Sequence, residues 1–295
     1  MTIAEARRIQ RKFYENPNPT EDDAFLFTEA MDYIIQSTKD PHAMLSLGGY
    51  YYDKRNFDLA LKYYEMAAEE KLDDAYECLG YVWYYGRTGT KDYEKAFRYF
   101  KLAKDAGNIV GAYKLADMYK NGYYVEKDYD KYCEIIEELY PQVKNTTCLG
   151  DPLPEIATRL AHIRAEQGRI GEAVELYYFA KDFLAQRISY NPFFGSLNIM
   201  MWLEDDLYKL IRFDRDHFDL YDLYYLAKEP AKVRFYFEDK EQEWESVEEN
   251  GELSIRFNNH WYRTREDFFA KACIGDLPLT YIYDALYGFE VIGCN

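Results

Sequence analysis

The sequence has few cysteines, a shortage of basic residues and no long apolar run. Its five cysteines are scattered, with no CxxC pair and no pairing rhythm, which is typical of reduced thiols. No stretch approaches the roughly 20 apolar residues that a membrane-spanning helix needs. The N-terminus carries charges throughout and lacks the apolar centre of a signal peptide. We therefore expect a cytoplasmic protein.

Acidic residues outnumber basic ones by 53 to 36, which gives the chain a net charge of −17. Nucleic acids and anionic membranes bind positively charged surfaces, and no cluster of lysine and arginine is evident in the sequence. We therefore predict that the main partner is neither a nucleic acid nor a membrane.

Motifs that carry chemistry are also missing. The sequence has no Gly-x-Ser-x-Gly, phosphate loop or dinucleotide fingerprint. The four histidines are His42, His162, His217 and His260. None of them stands at metal-ligand spacing such as His-x-x-x-His. We predict no catalytic residue, no metal and no cofactor. A small enzyme within residues 230–295 remains a minor hypothesis, because the run 260–263 (His-Trp-Tyr-Arg) is better explained as a strand and a turn.

The sequence does contain a helical-hairpin motif that repeats between Ala43 and Leu139. Three leucines anchor the first helices of successive hairpins: Leu47, Leu79 and Leu115. A ring follows each leucine by four residues, at Tyr51, Trp83 and Tyr119. This spacing puts leucine and ring on one helical face. The small residue directly after each leucine leaves room for a second helix to approach.

The second helix of each hairpin has its own pattern of a small residue, a large one and a small one. It reads Ala60, Tyr64, Ala67, then Ala96, Phe100, Ala103, and later Ala173, Tyr177, Ala180. Gly86 and Gly122 are placed to end first helices. Asp92 and Asp128, six residues further on, are placed to cap the next helices.

These motifs resemble the Sel-one-like repeat of the tetratricopeptide superfamily. The segment from Ala75 to Gly107 matches best, and the resemblance extends over about residues 3–186, although Tyr132 replaces the expected alanine in the fourth unit. The resemblance implies antiparallel helix pairs stacked with a right-handed twist, an adaptor role and no catalytic residues. We predict a mainly α protein, a right-handed α–α superhelix followed by a small C-terminal α+β domain.

We divide the chain into three segments: helical repeats with a degenerate N-terminal capping pair (1–190), capping helices (191–229) and an α+β domain (230–295). In the first segment, Thr20 and Asp23 predict a capping box, and a loop is expected over 141–154. In the last, alternation at 233–237 and 253–257 predicts strands. Turns are expected at 250–251 and 258–259, helices after Thr264 and over 279–287, and a final strand at 289–292.

The resemblance also implies a concave groove lined by the first helices. The resemblance places groove positions two before, two after and five to six after each anchoring leucine, with Leu160 anchoring the fifth repeat. The positions selected in this way are Tyr52, Glu77, Tyr81, Tyr84, Tyr85, Tyr113, Asp117, Lys120, Asn121, His162 and Glu166. Such a groove is rich in tyrosine and mostly acidic, which suits a partner segment that carries Lys or Arg and an apolar anchor. Alternatively, these positions are solvated or covered by the C-terminal domain, and the 32 tyrosines reflect composition alone.

Two functions follow. The leading hypothesis is a non-enzymatic scaffold or adaptor that binds a basic or amphipathic protein segment in this groove. The alternative is an inhibitor or immunity-type protein that masks a basic enzyme through its acidic surface, since residues 231–295 hold 13 acidic and seven basic residues.

Overall fold

The computed structural model describes residues 1–16, 18–190, 194–211, 219–227, 230–249, 251–279, 282 and 285–293. The Cα packing divides the chain into two compact units, Met1–Leu139 and Tyr140–Asn295. The three segments drawn from the sequence, with boundaries near residues 190 and 229, stay a prediction.

The first unit is a run of helices that pack on one another in chain order, as a solenoid does. Its helices are α1 (Ile3–Glu15), α2 (Glu21–Thr38), α3 (Pro41–Asp53), α4 (Phe57–Glu69), α5 (Asp74–Tyr85), α6 (Tyr93–Asp105) and α7 (Ile109–Asn121). A further helix, α8 (Tyr129–Val143), spans the division. The first helices α5 and α7 of neighbouring hairpins also contact each other, which places their side chains side by side.

The helix ends follow the predicted capping residues. Thr20 and Asp23 form the predicted capping box, with the Thr20 hydroxyl accepting from the Asp23 amide at 3.2 Å. Asp92 accepts from the Lys95 amide at 2.9 Å at the start of α6. Gly86 ends α5 with φ of 63°, in the left-handed region that only glycine enters at little cost.

The glycines after the anchoring leucines set how closely the two helices of a hairpin approach. A Cβ at Gly80 would lie 2.4 Å from the Phe100 ring, and one at Gly48 would lie 2.6 Å from the Tyr64 ring. Leu79 beside them is fully buried. The predicted role of the small residue is therefore confirmed: it admits a large ring from the second helix.

Among the described residues, the second unit begins with four further helices. They are α9 (Leu153–Glu166), α10 (Ile170–Tyr190), α11 (Phe194–Ile211) and α12 (Leu220–Leu226). The loop predicted from residue 141 starts later, because Pro141 lies in the last turn of α8. A proline there removes a single backbone hydrogen bond close to the helix end, where the loss is smallest. Residues 191–193, where the predicted capping segment begins, lie outside the described residues.

The rest of the second unit is an antiparallel sheet with a short helix. Its elements are β1 (Lys232–Phe237), β2 (Lys240–Glu249), β3 (Glu252–Phe257), β4 (His260–Tyr262), α13 (Arg265–Lys271), β5 (Cys273–Ile274), β6 (Leu277–Pro278) and β7 (Tyr287–Gly293). The main sheet has the order β4-β3-β2-β1-β7, and β5 pairs with β6. Trp244, Phe235 and Phe268 pack in the core beneath it.

Most of the predicted strand pattern is confirmed here. Asn258 and Asn259 both have positive φ, as a tight hairpin turn requires. The acidic stretch 241–249, for which the sequence predicts no element, lies in strand β2. The helix predicted over 279–287 is wrong at its end, because Tyr287 begins β7, pairs with Tyr236 and stacks on its ring. Residues 280–281 and 283–284 of that stretch lie outside the described residues.

Candidate partner-binding surface

Four tyrosine rings on α5 and α7 surround one lysine of the chain. The ammonium of Lys114 lies 5.2 Å from the ring centroid of Tyr81, 5.9 Å from Tyr84, 5.7 Å from Tyr85 and 5.3 Å from Tyr113. All four distances fall within the range of cation–π attraction. We call these four tyrosines the tyrosine cage.

The cage follows from helix spacing. Tyr81 and Tyr85 are four residues apart on α5, so their rings stack at 5.7 Å on one face. Tyr113 and Lys114 stand on α7, which packs beside α5. The hydroxyl oxygens of Tyr81 and Tyr113 lie 3.3 Å apart and tie the two helices together.

The cage is closed on one side and open on the other. Tyr113 is 5% exposed, whereas Tyr85 is 40% exposed and its hydroxyl accepts from the Lys114 ammonium at 3.3 Å. Burial raises the pKa of Tyr81 and of Tyr84 well above the ordinary tyrosine value. These phenols therefore stay protonated, and the open side presents neutral rings.

Two of the predicted carboxylates adjoin the cage. Glu77 accepts from the Asn108 side-chain amide at 3.0 Å, and burial raises the pKa of its carboxyl. Asp117 is half-buried on α7 and its charge contributes to the raised pKa of Tyr84. The side chain of Asn121, which is also a predicted position, donates to the Asp117 carbonyl at 2.7 Å.

A second cation of the chain joins Tyr52 to the cage. Arg87 donates to the Tyr52 hydroxyl at 2.9 Å. Its guanidinium lies 5.6 Å from the Tyr52 and Phe57 ring centroids and 5.0 Å from that of Tyr85. Tyr85 therefore contacts two cations, Arg87 and Lys114.

The remaining predicted positions lie elsewhere. Lys120 lies over the Tyr132 ring at 5.0 Å, towards α8. His162 and Glu166 stand on α9 in the second unit, where their side chains are 3.3 Å apart and His162 is also 3.3 Å from Asp206. The structure thus brings together the tyrosines and carboxylates of α5 and α7.

Sequence reasoning missed Lys114 and Arg87. The groove positions were counted at fixed offsets from each leucine, and Lys114 stands directly before Leu115, at an offset that was not used. Arg87 follows the glycine that ends α5. Sequence reasoning also passed over four basic residues of α1: Arg7, Arg8, Arg11 and Lys12.

A second group that the sequence reasoning missed is buried in the second unit. The ammonium of Lys181 lies 2.8 Å from Glu204, 2.7 Å from Asp222 and 3.2 Å from Asp219. Lys181 is 2% exposed. Burial raises the pKa of Asp222 to about 7, with the Glu204 charge adding to it, and that of Asp219 to about 6. For Lys181, burial lowers the pKa, but the three carboxylates outweigh it and raise the pKa well above its usual value.

This group of one ammonium and three carboxyl groups is a structural cross-link between α10, α11 and the start of α12. The carboxylate oxygens lie within 4.8 Å of one another, close enough to share a metal ion. Lys181 already supplies the cation at their centre.

The packing of successive leucine-anchored hairpins defines the first unit as a helical repeat structure. The sequence model of the Sel1 repeat matches residues 41–72, 75–108 and 109–131. This part of the chain therefore consists of Sel1 repeats, which confirms the resemblance inferred from its motifs. Sel1 repeat proteins generally mediate protein–protein interactions.

Solved structures of similar fold include a Sel1 repeat protein from Oxalobacter formigenes. It is 18% identical with a TM-score of 0.50, over 77% of this chain and 82% of that one. A protective antigen with an SLR fold, present in uropathogenic Escherichia coli strains, is 17% identical with a TM-score of 0.49, over 73% of this chain and 51% of that one. No curated protein matches the chain. Among the described residues, no helix combines the length and hydropathy needed to cross a membrane.

Proposed function

We propose that this chain is a non-enzymatic scaffold or adaptor, and that its Sel1 repeats hold a segment of a partner protein against the tyrosine cage. The observation that carries the proposal is the half-open cluster of rings on the first helices of two successive repeats. Tyrosine offers flat contact area at a small cost in conformational entropy and is enriched at binding hot spots.

The partner segment that fits best is basic or amphipathic. Its basic side chains would meet Asp117 and the aromatic faces, and an apolar side chain would pack on the exposed ring of Tyr85. The net charge of −17 favours encounter with such a segment and makes association weaken as salt rises.

The inhibitor alternative has less support. It needs acidic residues free to meet a basic enzyme, but several on the sheet already pair with basic neighbours. Glu243 lies 2.6 Å from Lys232, and Glu245 lies 2.8 Å from Arg256. Ion pairs of this kind lower the net field that the sheet presents.

The test is a capture experiment with the full chain and two tyrosine variants. Tyr85→Ala removes the exposed ring of the cage, while Tyr124→Ala removes a ring of similar exposure away from it. Tyr81 and Tyr113 are unsuitable, because their removal would leave a cavity in the packing. We expect proteins retained by the wild type and by Tyr124→Ala to be depleted at least about tenfold by Tyr85→Ala, as loss of a hot-spot ring predicts.

Quantitative mass spectrometry at low and moderate salt gives the readout, and circular dichroism checks that the variants fold. If Tyr85→Ala retained the same proteins in the same amounts, the cage would not be the binding surface.

A further inference from the structure

We propose that the tyrosine cage is a binding site for the ammonium group, primary or methylated, of a partner lysine, and that Lys114 occupies this site until the partner arrives. The inference rests on the proposed function and gives the cage a specific ligand chemistry. Lys114 then acts as an internal competitor.

The geometry of the cage already shows which group it accepts. Four ring centroids converge on the Lys114 ammonium at 5.2 to 5.9 Å. The electron-rich faces of aromatic rings attract cations, and cages of several rings recognise ammonium groups such as those of choline and methylated lysine. The carboxylate of Asp117 on α7 and that of Glu77 on α5 add favourable charge nearby.

The way Lys114 is held allows exchange. Its ammonium contacts rings and donates to the Tyr85 hydroxyl, and Tyr85 forms the exposed wall of the cage. Lys114 is itself half-buried, with a flexible stem of four methylene groups that can swing into solvent. A partner lysine could then replace it without any change in the helices.

An internal competitor weakens the apparent affinity. If Lys114 fills the cage most of the time, the site is available only in the remaining fraction, and the apparent Kd rises by the inverse of that fraction. Removing Lys114 should therefore strengthen the binding of a cation. A purely structural role for Lys114, pinning α7 to α5, predicts no such gain.

The test is a titration of the full chain, labelled with ¹³C in its tyrosine rings, with tetramethylammonium chloride. Lys114→Ser empties the cage, and Lys114→Met fills it with an uncharged chain of similar length. Sodium chloride controls for ionic strength, and tert-butanol controls for apolar binding. Thermal melting followed by circular dichroism checks each variant, and Lys114→Gln replaces Lys114→Ser if the latter does not fold.

We expect the cage tyrosine resonances of Lys114→Ser to shift at concentrations at least about tenfold below those needed for the wild type, while Lys114→Met does not respond. The added substitution Tyr85→Leu should abolish the response of Lys114→Ser. The proposal is overturned if Lys114→Ser responds no better than the wild type, or if tert-butanol gives the same shifts.

This result is separable from that of the capture experiment. If Lys114→Ser binds tetramethylammonium more tightly than the wild type but Tyr85→Ala captures the same proteins, the cation site is supported and the proposed function is contradicted. Loss of capture by Tyr85→Ala without any ammonium titration does the reverse.

Discussion

Lys114 and Lys181 are both enclosed by helices, but neutral aromatic rings surround the first and carboxyl groups surround the second. Four neutral rings and a hydroxyl surround the ammonium of Lys114, which is half-buried. Three carboxylates surround the ammonium of Lys181, which is almost fully buried. The first arrangement leaves no buried charge behind when the lysine departs, whereas the second leaves Glu204 and Asp222 buried without their cation. The ring site is therefore suited to exchange, and the carboxylate site to permanent attachment.

Burial determines how much stability is lost when the ammonium group of Lys181 or of Lys114 is removed. A charge removed from water costs several kcal/mol unless a partner compensates it, so breaking a buried ion pair from one side is strongly destabilising. A cation over aromatic rings gains about 0.5–1 kcal/mol at exposed sites and about 2 kcal/mol where it is desolvated, so the half-buried Lys114 should gain about 1–2 kcal/mol. Variants at the two lysines should therefore differ severalfold in their effect on stability.

The largest effect should come from Lys181→Met. It leaves Glu204 and Asp222 buried without their cation, and we expect the second unit to lose about 3–5 kcal/mol of unfolding free energy. The control is Lys209→Met on α11, an exposed lysine paired with Asp205, with an expected loss below about 1 kcal/mol. Hydrogen exchange of α10 and α11, followed by mass spectrometry, measures both. Equal losses in the two variants would show that the cluster is not a cross-link.

A pH dependence of the second unit should follow from Asp222. Its pKa is raised to about 7 in the folded chain, so the folded state holds a proton that the unfolded state releases near pH 4. The stability from this group is complete below about pH 4 and is lost as the pH rises through about 7. Over this window the contribution is at most about 4 kcal/mol.

Asp222→Asn removes that titration and keeps the shape of the side chain. We therefore expect the unfolding free energy of the wild type, measured by urea denaturation between pH 4 and 8, to fall relative to that of Asp222→Asn as the pH rises. Parallel pH profiles would mean that Asp222 is not protonated in the folded chain.

The packing that presents the cage can be tested at Gly80. Gly80→Ala would place its Cβ 2.4 Å from the Phe100 ring, so we expect a loss of about 1–3 kcal/mol from overpacking. Gly49→Ala in α3 is the matched control, because nothing lies within 4 Å of its Cβ position. The control should be neutral or stabilising by up to about 1 kcal/mol, through helix propensity alone. Thermal melting of both variants gives the comparison. If Gly80→Ala left the melting temperature unchanged, close contact with the Phe100 ring would not explain why glycine stands at this position.

The smallest effect should be that of Lys114→Met on stability. Since the cation gains about 1–2 kcal/mol over the half-buried rings, and methionine fills the same space, the urea midpoint of the first unit should fall only slightly. A loss as large as that in Lys181→Met would show that Lys114 is a structural pin, and the contrast between the two lysines would fail.

Local features of the fold were predictable from the sequence because they depend on neighbours in the chain. The capping box at Thr20, the helix end at Gly86 and the alternation at Phe235 each need only a few adjacent residues. The repeat also predicted that Gly80 and Gly48, each directly after an anchoring leucine, leave room for the second helix, but not which ring would fill that room. The prediction that the helix continues to Tyr287 was wrong, because strand pairing of Tyr287 with Tyr236 outweighs the local helical spacing.

The candidate site was predictable only in part. The offsets from each leucine selected the cage tyrosines, but not the lysine that they enclose. Which side chain meets Tyr81 depends on how α7 packs on α5, and no local pattern encodes this. Likewise Lys181 stands 41 residues from Asp222, and an isolated lysine in an amphipathic helix gives no sign of a buried partner.

The most direct test of this account is the affinity of one captured partner for three forms of the full chain, measured by isothermal titration calorimetry at fixed salt. If the cage holds a partner lysine in competition with Lys114, Lys114→Ser should bind more tightly than the wild type, and Tyr85→Ala should bind more weakly. Equal affinities for all three forms would contradict the proposal that the cage on α5 and α7 binds the partner.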